Sequence, residues 1–150
     1  MDVPAHQNVI VEAELKTNAD AMLLASFAGD SLALGVHWIY NTNVIDRKIG
    51  RIKGLLAPIV ESWHPNRDKG QFTHYGDQTL VLLRVLAEKA SFDLDTFAAH
   101  WRALFQDYNG YVDKATKATL SNFEEQAAPL SAGSDSSDLG GASRIAPLVY

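Results

Sequence analysis

Residues 74–86 read HYGDQTLVLLRVL. A turn residue and one carboxylate lead into an almost unbroken apolar run, the pattern of a buried helix at its mouth. Leu80, Val81, Leu83, Val85 and Leu86 cover most of a helical surface, and Arg84 and Glu88, four apart, mark its one wet edge. The spacing predicts a helix over 78–90 that opens at Asp77. Asp77 is then either an N-cap, a role Asp favours, or a ligand that the cap position aims at a metal or substrate.

Working outward, the other strong signals are also helical. NADAMLLASFAGDSLALGVHW (18–38) predicts a helix near 18–40, with Asn18 as N-cap and Asp20 in its first turn. It is apolar nearly all round, which predicts burial. Upstream, VIVEAEL alternates briefly but is flanked by helix formers. A short segment near 43–52 follows. Then 61–76 reads as a long polar loop with Pro65, Gly70 and Gly76, and loops of that length are often functional.

A third helix near 94–108 begins at Asp93 or Asp95 and carries Leu94, Phe97, Trp101, Leu104, Phe105 and Tyr108 on one stripe, with Asn109–Gly110 as its stop. A fourth near 111–123 turns Val112, Ala115, Thr119 and Phe123 inward and pairs Asp113 with Lys117 outside. PLSAGSDSSDLGG (129–141) is a loop, and ASRIAPLVY starts another, uncapped helix. No repeat or heptad is present. The expectation is one all-α domain over 1–150, compact and multi-helical, forming the N-terminal portion of a longer domain and incomplete at its C-terminus.

Composition bounds the function. The formal net charge of -5, without any Lys/Arg cluster, argues against a nucleic-acid partner. Cys is absent, which excludes disulfides, a thiol nucleophile and thiolate metal sites. The acidic N-terminal stretch lacks a basic n-region, so it does not read as a signal peptide. Asp30 interrupts the longest apolar run, so no membrane span or membrane partner is expected, and a cytoplasmic location fits.

Four groups could carry chemistry. Asp30 lies inside an apolar helix and must be paired or hydrogen-bonded. Ser26, Asp30, Ala33 and His37 share one helical face. The bland reading ties Asp30 to a neighbouring loop or to an Arg such as Arg144. Asp77 with Thr79 offers oxygen ligands of the kind Mg²⁺ prefers. Asp138, Gly140 and Gly141 could let backbone N–H groups approach a phosphate, or could be a solvent loop. The histidines show no metal spacing, and His64, His74 and His100 read as isolated surface or loop residues.

Three stretches together resemble the ADP-ribosylglycohydrolase family. AGDSLALGVHW is similar to its first motif, Gly-Asp-Ala-Leu-Gly followed by a catalytic Glu. YGDQTLVLL is similar to its Thr-Asp-Asp-Thr metal motif, and SDLGGASRIAPL to its later Ser-Asn-Gly … Met-Arg … Pro motif. The resemblance implies an all-α fold, a pair of Mg²⁺ ions and hydrolysis of the glycosidic bond joining ADP-ribose to a protein side chain or small acceptor. Carried over by position, it makes Asp77, Gln78 and Thr79 the metal residues. His37 stands where the Glu is expected and, with Asp30, becomes a catalytic candidate; Asp138, Gly140 and Gly141 become substrate-binding candidates.

The departures are specific. Gly76 replaces the motif's first Thr, Gln78 its second Asp, and Leu139 falls near its Asn; a further Asp-x-Asp-Thr metal motif has no counterpart within these residues. The resemblance therefore implies a weakened Mg²⁺ site. It leaves two functions: a divergent hydrolase acting on an ADP-ribosylated protein or small substrate, or a degenerate nucleotide-binding or structural, crystallin-like protein.

Overall fold

The computed structural model describes residues 5–149, with side chains from residue 16 onward. Among them every regular element is helical, as expected. They are α1 (Ala5–Ala33), a 3₁₀ turn at Leu34–Val36, α2 (Thr42–Lys48), α3 (His74–Lys89), α4 (Leu94–Leu104), α5 (Lys114–Glu124), a 3₁₀ turn at Ala142–Arg144 and the single turn α6 (Ala146–Val149). α3 is the hub: α1, α4 and α6 pack against it.

The start of α3 differs from the expectation by four residues. Thr73, not Asp77, is the cap: its hydroxyl accepts from Tyr75 N–H at 3.1 Å, and Asp77 N–H already closes the first helical bond to Thr73 O at 3.1 Å. Thr73 prevails because Asp30 on α1 holds it twice, accepting from its N–H at 2.8 Å and its hydroxyl at 2.6 Å. One hydroxyl thus donates to α1 and accepts from α3, joining the two helices. Asp30 is tied to this helix start, as the bland reading allowed, and not to Arg144. At its other end α3 stops on Ala90 in the left-handed region, φ 54°.

Other boundaries move for local reasons. α1 begins well before Asn18, which lies mid-helix, because no Gly or Pro interrupts residues 5–28; VIVEAEL is helical. It ends before 40 because Gly35 presses on the 56–57 segment, where a Cβ would come within 2.7 Å of Leu56 Cβ, and Trp38 then turns left-handed at φ 62°. His37 consequently leaves the face it was expected to share with Asp30. α4 stops at Leu104, releasing Tyr108 toward α3. α5 starts after Asp113, which caps it by accepting from Thr116 N–H at 2.6 Å. Asp113 is therefore buried, and the expected surface pair with Lys117 does not form.

Two expectations about α1 are corrected. Met22, Leu24 and Leu32 are exposed, Leu24 by 69%, because among the described residues only one side of the helix packs against α3 and α6. Lys16–Val36, 21 residues whose most apolar 18-residue window has a mean hydropathy of 1.3, is also long and apolar enough to cross a membrane by length and composition. Asp30 does not break that length, because a single carboxylate leaves the helix intact when Thr73 satisfies it.

Candidate functional site

A cleft of about 510 Å³ opens where α1, the start of α3 and the 138–143 turn meet. That volume lies within the ~300–1,000 Å³ common for small-molecule sites. Asp30, Thr79, Asp138 and Gly140 line it, so residues from all three sequence motifs reach one wall-to-wall space. Phe27, Trp38, Tyr40 and Tyr75 supply flat apolar surface, and Ser26 and Ser143 add hydroxyls. His37, Asp77, Gln78 and Gly141 do not line it.

Gly76 lets α1 and α3 meet at the cleft floor. A Cβ there would overlap Asp30 Oδ2 and come within 2.8 Å of both Asp30 Cγ and Phe72 Cβ. The close approach requires glycine at this position while Asp30 holds Thr73.

Asp77, Gln78 and Thr79 point to different partners. Asp77 is ion-paired with Arg67 and accepts from the Tyr108 hydroxyl at 2.7 Å. Burial raises its pKa, against the Tyr108 hydrogen bond and the Arg67 charge; burial and Asp77 together push the Tyr108 phenol up. Gln78 is buried, accepts from Trp101 Nε1 at 2.7 Å and Arg144 Nη1 at 2.5 Å, and donates to His74 O at 2.8 Å. The Thr79 hydroxyl donates back to Tyr75 O at 2.9 Å. As arranged, these three side chains do not converge on one ion: a guanidinium already neutralises Asp77, and Gln78 is spent on α4 and Arg144. The oxygen set does not fit a closed Mg²⁺ cage.

The glycine turn is also committed. Gly140 N–H donates to Asp138 Oδ1 at 2.7 Å, so it is not free to hold a phosphate. Arg144, just beyond, stacks its guanidinium 4.8 Å from the Tyr75 ring and lies 3.2 Å from Asp113 Oδ2. Burial opposes ionisation of Asp113, but the facing His74 ring, Thr116 N–H and Arg144 hold its carboxyl well below the usual carboxylate range.

The histidines overturn the sequence reading. His64 and His74 are 1% and 0% exposed, and with half-buried His37 each offers a ring nitrogen within 4.8 Å of the others. His37 Nδ1 and His64 Nε2 are 2.7 Å apart. Of the three histidines expected in surface or loop positions, His100 alone is exposed. Burial first, then the neighbouring imidazoles, lowers both His37 and His64 to about 4, Asp30 opposing this for His37 and Arg67 adding to it for His64. Both rings are neutral at pH 7. Separations of 27 and 10 residues hid the cluster; the one available sign was the long loop that carries His64 back to α3.

All three motifs thus meet at one cleft of an all-α domain. The family model for ADP-ribosylglycohydrolase matches residues 12–150, and the chain belongs to that family. Among curated relatives it is similar to Crystallin J1A of Tripedalia cystophora, 31% identical over 88 residues, and to Crystallin J1B of the same animal, 30% over 86 residues. Each match covers 56% of this chain and 26% of the relative's length. No solved structure matches.

Proposed function

We propose that the cleft binds the ADP-ribosyl part of a modified protein or small molecule and that the protein hydrolyses the glycosidic bond, as the N-terminal portion of a longer domain. The observation carrying this is that Asp30, Thr79, Asp138 and Gly140, one or more from each family motif, line one space. Cleavage at an ADP-ribosyl centre builds positive charge on the sugar. Asp30 and Asp138 place carboxylates where that charge is stabilised, with Asp30 fixed by Thr73 and so preorganised. Trp38, Tyr40 and Tyr75 offer stacking faces for a base. His37 acts as a positioning residue: its ring stacks 4.9 Å from Trp38 and sets that wall of the cleft. Mg²⁺ assistance, implied by the family resemblance, requires Asp77 to exchange Arg67 for the cation.

The test is release of ADP-ribose from modified protein and from O- and N-linked small donors by the full chain, with and without Mg²⁺. Asp30→Asn is expected to lower turnover by at least about tenfold, about 1.4 kcal/mol of barrier, while ADP-ribose still binds. Turnover unaffected by Asp30→Asn refutes the assignment.

The crystallin relatives favour a second reading, a degenerate member that binds such a ligand or serves structurally. Retained ADP-ribose binding with no turnover on any donor selects it.

A further inference from the structure

Behind the aromatic wall of the cleft, His37, His64 and His74 face one another with ring centroids 5.0, 5.7 and 6.0 Å apart. We propose that they form a binding site for a zinc-type divalent transition metal, separate from any oxygen-ligated cation. Three features carry this. Each ring offers one nitrogen, and these nitrogens fall within a 4.8 Å span. Nitrogens in a tetrahedral zinc site, each about 2.0–2.1 Å from the metal, lie about 3.3 Å from one another. To hold such an ion, the 2.7 Å His37–His64 approach would open slightly and the longer separations would close.

The second feature is unmet bonding. A metal-free imidazole network would satisfy its ring nitrogens by hydrogen bonds. Here one His–His contact exists, while His64 Nδ1 and both nitrogens of His74 are buried without a hydrogen-bond partner. Buried polar atoms in native proteins are nearly always paired. A metal would give one His74 nitrogen the partner it lacks, leaving the other to face Asp113.

The third is the support around His74. Asp113 Oδ2 lies 3.1 Å from His74 Nε2, poorly aligned for a hydrogen bond, and is itself fixed by Arg144 and Thr116 N–H. A carboxylate behind a histidine is the usual device for fixing the ring of a metal ligand. Imidazole donors select Zn²⁺, Co²⁺, Ni²⁺ or Cu²⁺ over Mg²⁺. The site clamps three segments: the residue that follows the Leu34–Val36 turn, the 61–73 loop and the first residue of α3.

The experiment titrates chelator-stripped full chain with Zn²⁺ and Co²⁺. Expected are one equivalent of Zn²⁺ per chain by calorimetry, retention through dialysis, and a visible Co²⁺ absorption of tetrahedral intensity that excess Mg²⁺ does not remove. His64→Gln and His37→Gln should each abolish the Co²⁺ band, and Asp113→Asn, which keeps the α5 cap, should weaken affinity about 10–100-fold. His100→Gln, exposed and outside the cluster, should bind as wild type. Should His64→Gln fail to give a helical circular-dichroism spectrum, half-buried His37 decides the result. Absence of stoichiometric binding, a Co²⁺ band unchanged by His37→Gln, or displacement by Mg²⁺ overturns the proposal. None of these readouts depends on turnover, so they are independent of the hydrolase reading.

Discussion

Replacing Gly76 by Ala should destabilise the protein, although alanine is the better helix former. The added Cβ would overlap the Asp30 carboxylate and crowd Phe72 Cβ at 2.8 Å. Asp30 must then withdraw from Thr73, forfeiting bonds at 2.8 and 2.6 Å. Hydrogen bonds to a charged group contribute about 1.5–3 kcal/mol each, so about 3–6 kcal/mol is at stake. Helix propensity returns about 1 kcal/mol, and Asp30 is only half-buried, so water recovers part of the loss. The net expectation is about 2–4 kcal/mol less stability, read as a lower urea midpoint at unchanged slope. The clash is with one side chain, so Gly76→Ala should cost far less in an Asp30→Ala background. A Gly76→Ala variant as stable as wild type, or additive costs in the double variant, refutes the α1–α3 contact as described.

Gln78→Asp, which restores the family's acidic residue, should cost about 1–3 kcal/mol, because the shorter side chain leaves the buried Trp101 N–H unpaired; a red-shifted Trp emission and a lower urea midpoint check it. Arg67→Ala should strengthen Mg²⁺ binding by freeing Asp77, and calorimetry that detects no Mg²⁺ heat in either protein excludes Asp77 as a ligand. Metal-free protein should lose stability in acid. His37 and His64 titrate at about 4 when folded, against ~6.5 in an unfolded chain. Above pH 6.5 both are neutral in either state and the stability is intact. Between 6.5 and 4 only the unfolded chain takes up protons, so stability falls with pH by up to two protons. Denaturation midpoints from pH 8 to 4 measure this, and a midpoint that does not fall from 6.5 to 4 contradicts the burial of these rings.

The helices were legible wherever apolar residues recur at three and four, as in Val81 and Val85 of α3 or Phe97 and Trp101 of α4, although buried Leu82 and Ala98 were not singled out. Their ends were not, because ends are decided by partners distant in sequence. Thr73 caps α3 because Asp30, 43 residues away, holds it. Asp113 reads as a surface residue beside Lys117 until Arg144 and His74 arrive from elsewhere in the chain. The candidate site divided along the same line. The motifs place Asp30 near the end of α1, Thr79 early in α3 and Asp138 and Gly140 on the turn before Ala142–Arg144, and these three segments meet at one cleft. The side-chain directions of Asp77 and Gln78 were set by Arg67, Tyr108, Trp101 and Arg144, none of which the local pattern names. The histidine cluster left no local trace, since its members come from a helix end, a loop and a helix start.

The two substituted motif positions are not simple losses. At Gly76 the missing side chain is the condition for Asp30 to reach Thr73, so a Thr there and this α1–α3 contact exclude each other. At Gln78 the amide does two things a carboxylate cannot do together: its oxygen accepts from Trp101 and Arg144 while its nitrogen donates to His74 O. A buried Asp would have no donor for that carbonyl and would set a charge against the indole edge, at the cost of desolvation. Each departure is therefore matched by contacts from outside the motif: Asp30 at position 76, and Trp101 and Arg144 at position 78. Those contacts turn the start of α3 into the joint of the helical core. The same contacts draw Gln78 into the interior while Thr79 stays at the cleft. Under the proposed function, chemistry at this cleft rests on Asp30, Thr79 and Asp138, which line it, while Asp77 stands outside it, paired with Arg67.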